Sequence, residues 1–234
     1  MPKSKVTGAR FEPASDQSLL VYLGDQITPQ THHRLRKLLT LLEADPVRGV
    51  RNLHPAYCSL LVTFDGRQID HHTLTKALKL RVNQLTKVRV PAPRRIEIPV
   101  CYGGDFGPDL TEVSKLHGIT ENRAIELHSS REYLVYFLGF VPGFAYLGNL
   151  PEALVTPRLP TPRPKVPAGS VAIAANHTGV YPFTTPGGWR LLGRTPLRMF
   201  RSDEKNLSLL SIGDRVRFTS ISRERFSELE TACP

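Results

Sequence analysis

Hydrophobic and polar positions alternate in two different rhythms along this chain. In the first ninety residues, apolar runs are separated by helical stripes. Residues 18–23 (SLLVYL) form a short apolar run that reads as a buried strand. Leu35, Leu38, Leu39 and Leu42 recur at helical spacing within residues 29–44, and Asp45-Pro46 stops that helix. Residues 50–53 make a weak strand. Residues 58–64 (CSLLVTF) make a stronger one, closed by the turn signal Asp65-Gly66. Leu74, Leu78 and Val82 predict a second amphipathic helix over 70–81, and residues 94–100 (RRIEIPV) alternate like a strand. The order β-α-β-β-α-β is that of a ferredoxin-like split unit. It predicts a first domain over residues 1–93, closed by the linker Val90-Pro91-Ala92-Pro93.

The second rhythm begins at residue 94. A glycine-rich loop, CYGGDFGPDL, leads into a helix from Asp109 to His117-Gly118. A further short helix follows, with Thr120 as N-cap and His128 near its end. Short apolar strands with proline and glycine punctuation are then expected at 133–138, 170–174, 179–183, 190–192, 196–200 and 213–219. That pattern predicts an all-β barrel or sandwich, so the chain is α+β. The charged C-terminal stretch ISRERFSELETACP reads as a peripheral strand end and tail. Within this half, residues 137–194 concentrate proline, glycine and aromatics far beyond their share elsewhere. Such a segment cannot be one long helix and predicts rigid, shaped loops. Rigid loops on a scaffold are where binding sites usually lie.

Composition adds two constraints. The chain is 234 residues long with 40% hydrophobic residues, enough for one large or two small cores. No apolar run approaches the ~20 residues needed to span a bilayer. The N-terminal MPKSKVTGARF lacks an apolar signal region. Three scattered cysteines, Cys58, Cys101 and Cys233, argue against a disulfide framework and against zinc, and predict a reducing cytoplasm. The net charge of +10 is concentrated: residues 155–217 hold ten Lys and Arg against three acids. That points to an anionic partner such as phosphate, carboxylate or an acidic protein. Nucleic acid fits less well, because no basic helix, zinc-finger spacing or aromatic ribonucleoprotein motif is present.

Several residues are candidates for chemistry. Arg158, Arg163 and Lys165 lie within eight residues among prolines, which suits bidentate capture of an anion; a solvated surface loop is the alternative. His128 reads as a general base or an anion ligand, or else as a helix-terminal cap or a core histidine. Tyr146, Tyr181 and Trp189 offer ring faces with polar tips. Thr184 to Trp189 (TTPGGW) is a tight bend able to present backbone N–H groups to an oxyanion. The loop CYGGDFGPDL lacks the Lys-Ser/Thr ending of a phosphate-binding P-loop and reads as a turn feeding a helix. His32-His33 and His71-His72 are adjacent on helix starts, so each pair faces two ways and holds no metal.

The long motifs GFVPGFAYLG (139–148), PRLPTPRPKVPAGSVAIA (157–174) and TPGGWRLLGRTP (185–196) resemble the 5-oxoprolinase B-subunit family, also called allophanate hydrolase subunit 1 or KipI-type kinase inhibitors. HPAYCSLLVTFD (54–65), IPVCYGGDFGPDL (98–110) and SLLVYLGDQI resemble it too, so the likeness spans nearly the whole chain. The turn at Ser15-Asp16-Gln17 departs from the family pattern, as does the basic N-terminal extension. The resemblance implies a ferredoxin-like N-terminal domain and a cyclophilin-like barrel over 94–234. It implies ATP-dependent (Mg2+) opening of 5-oxoproline to glutamate, with the 5-oxoprolinase A and C subunits as separate polypeptides and the C subunit as the close partner. Within it, charge and position assign Arg158, Arg163, Lys165 and Arg194 to the phosphoryl group and the carboxylate. They assign His128 as base and Tyr146 and Trp189 as pocket walls. The same family also admits a regulator of a sensor histidine kinase, or a component of a urea or amide carboxylation system.

Overall fold

The computed structural model describes residues 8–202 and 207–232. The basic N-terminal residues 1–7, four residues of the basic stretch (203–206) and Cys233 lie outside the described residues. The chain divides into two compact units, Met1–Ala92 and Pro93–Pro234.

The first unit is a four-stranded antiparallel sheet with two helices. Its elements are β1 (Arg10–Ser15), β2 (Ser18–Tyr22), α1 (Pro29–Ala44), β3 (Val50–Pro55), β4 (Ser59–Phe64) and α2 (His71–Asn83). The sheet order is β1-β2-β4-β3. Both helices start where their caps dictate. The Thr28 hydroxyl accepts from the Thr31 amide at 3.1 Å, and the Asp70 carboxylate accepts from the Thr73 amide at 2.7 Å. Leu35, Leu38, Leu74 and Leu78 are fully buried, as are Val21, Leu60 and Val62 on alternate positions of the two central strands.

Two expectations for this unit need correction. The strand expected at 94–100 as its closing element is instead part of the second unit. The outer strand beside β2 is β1, which periodicity missed because RFEPAS is mostly polar and contains Pro13. A solvated edge strand needs no apolar alternation and tolerates proline.

The second unit is a closed seven-stranded barrel. Its strands are β5 (Arg95–Tyr102), β6 (Glu132–Leu138), β7 (Ala145–Gly148), β9 (Ser170–Ala174), β10 (His177–Val180), β12 (Arg190–Arg194) and β13 (Arg215–Ser220). The barrel order is β10-β7-β6-β13-β5-β12-β9. β5 pairs with β13 in parallel over six residues, which puts Ile98 and Val100 in the barrel core beside Val216 and Phe218. That burial explains why β5 belongs here. A two-stranded ribbon, β8 (Arg163–Val166) with β11 (Thr185–Gly187), lies outside the barrel order. Helices α3 (Leu110–Leu116), α4 (Glu121–Ser129) and α5 (Arg223–Ala232) complete the unit.

Here too local patterns misread some stretches. Residues 196–200 form no strand, only an isolated Phe200–Ser208 bridge, and β10 ends at Val180 before Pro182. Proline has no N–H to donate to a ladder. The expected C-terminal strand end and tail is the helix α5. Ser222 Oγ caps it by accepting from the Arg225 amide at 3.2 Å, and Phe226 is buried 4.6 Å from the Phe106 ring.

The glycine-rich loop is a turn docked on β12. Gly103 N–H donates to the Leu192 carbonyl at 3.0 Å, and Asp109 N–H to the Leu191 carbonyl at 3.1 Å. A Cβ at Gly107 would lie 1.9 Å from Leu192 O, a backbone atom that cannot swing away. Gly107→Ala is therefore expected to cost at least about 3 kcal/mol of stability in urea unfolding. A loss below about 1 kcal/mol would mean that the loop does not dock this closely.

Candidate functional site

The site lies on the outside of the barrel wall. Along β9, Val171 and Ile173 face the interior core, while Ala172 and Ala174 belong to a second apolar cluster on the other side. Small residues on this outer face let large rings lie against the strands. A Cβ on Gly179 would sit 3.0 Å from the Phe144 ring and 3.3 Å from the Trp189 ring. Phe144 packs edge-to-face against Tyr181 and Trp189, each at 5.3 Å between centroids, and Tyr146 lies 5.9 Å from Trp189. These pairs follow the quadrupole preference of aromatic rings and hold one another's rotamers.

The rings surround a cleft of about 240 Å³. Phe144, Tyr146, Tyr181 and Trp189 line it, Pro162 and the Pro186-Gly187-Gly188 bend close one side, and Phe140 stands at the mouth. Gly187 is obligatory, because a Cβ there would meet the Tyr181 hydroxyl at 2.4 Å. Phe140 has φ 71, a region where a bulky side chain is strained, and is 59% exposed.

One cation belongs to this cleft. Arg158 lines it, and among the described residues no carboxylate pairs with it. Its charge acts on its neighbours. Burial raises the Tyr146 phenol above its ordinary value, with Arg158 opposing. Burial also raises Tyr181, against a hydrogen bond from the Trp189 amide and the Arg158 charge. Both phenols therefore stay protonated at neutral pH and present hydroxyl groups beside a guanidinium.

The sequence-predicted residues separate into two groups. Arg158, Tyr146 and Trp189 meet in the cleft, with Tyr181 and the TTPGGW bend. The other four do not line it. Arg163 donates through Nη2 to the buried Asp109 carboxylate at 2.6 Å, so its charge is engaged inside the structure. Lys165 is exposed on β8. Arg194 donates through Nε to the Ala168 carbonyl at 2.9 Å.

His128 is fully buried in the barrel interior, stacked 4.6 Å from Phe218. The Thr178 hydroxyl gives its one proton to the Ala172 carbonyl at 3.0 Å, so His128 Nε2–H donates to Thr178 Oγ1 at 2.9 Å. Nδ1 is then the acceptor for the Tyr102 hydroxyl at 2.7 Å. A general base must reach solvent or substrate, and this ring reaches neither. Its role is that of a satisfied core histidine.

Of the ring residues that sequence reasoning missed, Phe140 and Phe144, only the second carried a signal. Ala145 and Leu147 point inward on β7, so Phe144 and Tyr146 must point outward. Nothing local indicated Phe140. Among the described residues no cluster of His, Cys, Asp or Glu is arranged to hold a metal ion, and no helix is long and apolar enough to cross a membrane.

Comparison with known proteins agrees with this architecture. Residues 9–210 match the family described as carboxyltransferase domain, subdomain C and D. The 5-oxoprolinase B subunit of Bacillus subtilis (strain 168) is 37% identical over 227 residues, covering 93% of this chain and 95% of that protein. A crystal structure of TTHA0988 is 35% identical with a TM-score of 0.76; it covers 88% of this chain but only 40% of that longer one. The Kluyveromyces lactis urea carboxylase shares the fold, with a TM-score of 0.76 at 18% identity, over 97% of this chain and 23% of that one. The chain belongs to the 5-oxoprolinase B-subunit family, within the carboxyltransferase subdomain C and D group.

The His128 environment yields a pH prediction. Burial lowers its pKa from 6.5 to about 3, so between these values the unfolded chain binds a proton that the folded chain refuses. Stability is then full above pH 6.5 and falls as pH drops through that window, by up to ~1.4 kcal/mol per pH unit. Urea unfolding at about pH 7, 6 and 5 should show this slope in the wild type and a shallower one in His128→Gln. Equal slopes would remove His128 as its source.

Proposed function

We propose that this chain is the B component of an ATP-dependent 5-oxoprolinase, which opens 5-oxoproline to L-glutamate in the cytoplasm together with separate A and C subunits. The observation that carries this reading is Arg158, a guanidinium without a carboxylate partner among the described residues, at a small ring-lined cleft. 5-Oxoproline is a small, nearly flat ring bearing one carboxylate. A guanidinium suits the carboxylate as a two-point donor, and ring faces suit the lactam. The protonated hydroxyl of Tyr181 adds a polar group suited to a carbonyl oxygen. The name of the Bacillus subtilis relative supports the same reaction.

The cleft does not fit a nucleoside triphosphate with its magnesium. A triphosphate calls for several cations or a cradle of backbone amides, and magnesium calls for carboxylates. The cleft supplies one guanidinium and a wall of rings. We therefore assign this chain substrate binding and orientation, and assign nucleotide binding to a surface outside this cleft or to a partner polypeptide. The sheet order β1-β2-β4-β3 with two helices supports a ferredoxin-like first unit whose edge strand comes from the N-terminal side. The closed barrel supports a cyclophilin-like second one.

In a complex reconstituted from this chain and its A and C partners, Arg158→Ala should lower ATP- and 5-oxoproline-dependent glutamate release roughly 100-fold while leaving the melting temperature of the isolated chain unchanged. Unchanged turnover would remove Arg158 from the site. Full glutamate release without this chain would reject its place in the enzyme altogether.

A further inference from the structure

The first turn of α3 holds both walls of the cleft, although none of its side chains lines it. Asp109, at the N-cap position, is 4% exposed and uses both carboxylate oxygens on different elements. Oδ1 accepts from Arg163 Nη2 on β8 at 2.6 Å, and Oδ2 accepts from the Leu191 amide on β12 at 2.6 Å. The Asp109 amide returns a bond to the Leu191 carbonyl. One turn along, Glu112 pairs at 2.6 Å with Arg190, whose side chain is 7% exposed. Arg190 Nε also donates to the Pro157 carbonyl at 3.5 Å, directly before Arg158.

Each of the two strands so gripped begins directly after a cleft residue. Arg163 follows Pro162, and in the ribbon it is registered against Gly187. Arg190 and Leu191 follow Trp189. Leu159 N–H donates to the Gly188 carbonyl at 2.8 Å, tying the Arg158 segment to the glycine bend. A proline-rich segment has few backbone donors with which to secure itself. Its orientation must come from side-chain bonds, and the buried ones from α3 are charge-assisted.

We propose that Asp109 and Glu112 are positioning residues for Arg158: through Arg163, Arg190 and the Leu191 amide they hold the 157–166 segment against the bend and strand start at 187–191, so that the guanidinium stands at the cleft. The proposal rests on reading the cleft as the 5-oxoproline site. It also gives Arg163 a part in substrate binding that works through position rather than contact.

The test separates the two readings. Asp109→Asn removes the charge opposite Arg163, and Glu112→Gln, on the exposed side of α3, releases Arg190 with little risk to folding. Hydrogen exchange on the full chain should speed up at least roughly tenfold across residues 157–166 in each variant, with β6 and β13 unchanged. The single tryptophan, Trp189, should become more accessible to acrylamide quenching. In the reconstituted complex, KM for 5-oxoproline should rise about tenfold with kcat within about twofold. Wild-type exchange over 157–166 in both variants would overturn the proposal, whatever ligand the cleft takes. So would an unaltered KM alongside loosened exchange. If Asp109→Asn does not fold, Glu112→Gln decides by the same readouts. Loss of turnover in Arg158→Ala with unchanged exchange in these variants would leave the substrate site standing and remove only its α3 frame.

Discussion

The carboxylate of Asp109 is the interaction that ties together the segments flanking the cleft. It is buried and would be costly to hold there unpaired. Its two oxygens answer that cost differently, one with the Arg163 guanidinium and the other with a main-chain amide of β12. A single side chain thereby welds three elements: the start of α3, the ribbon strand β8 and the barrel strand β12. Gly107 is the reciprocal constraint, because only a residue without Cβ lets the loop approach Leu192 closely enough for Asp109 to reach.

The barrel itself supplies a wall rather than a container. Its interior is filled by Ile98, Val100, Val171, Ile173, Val216 and Phe218, and even its polar members, His128 and Thr178, satisfy one another there. A seven-stranded barrel is narrow enough for side chains to close it. The concavity lies instead on the outer face, where Ala172, Ala174 and Gly179 leave room for a layer of rings. The loops outside the barrel order then turn that layer into a cleft.

The basic character of the chain says less about its site than the total suggests. Many of its arginines are paired within the fold: Arg51 with Asp65, Arg94 with Asp214, Arg163 with Asp109, Arg190 with Glu112. A paired guanidinium has its charge offset, so it recruits little from solution. What distinguishes Arg158 is the lack of such a partner among the described residues, combined with a ring-lined concavity. Arg158, Arg163 and Lys165, close neighbours in sequence, therefore stand in three different environments.

Local sequence determined a good deal of this. The caps at Thr28, Asp70 and Thr120 and the leucine stripe of α1 set the helices, because each acts within a turn or two of chain. Short apolar stretches marked β9 and β13, and the proline- and glycine-rich stretch identified where Arg158, Tyr146 and Trp189 would gather. Tertiary structure decided the rest. Which sheet receives β5 depends on a parallel partner far along the chain in β13. Whether Arg163 meets a ligand or a carboxylate depends on Asp109, 54 residues earlier. Whether His128 faces solvent or core depends on the barrel closing over it. Backbone preference is a short-range property legible from neighbours, whereas the partner of a charge is chosen by the folded chain, and that choice separates a binding residue from a structural one.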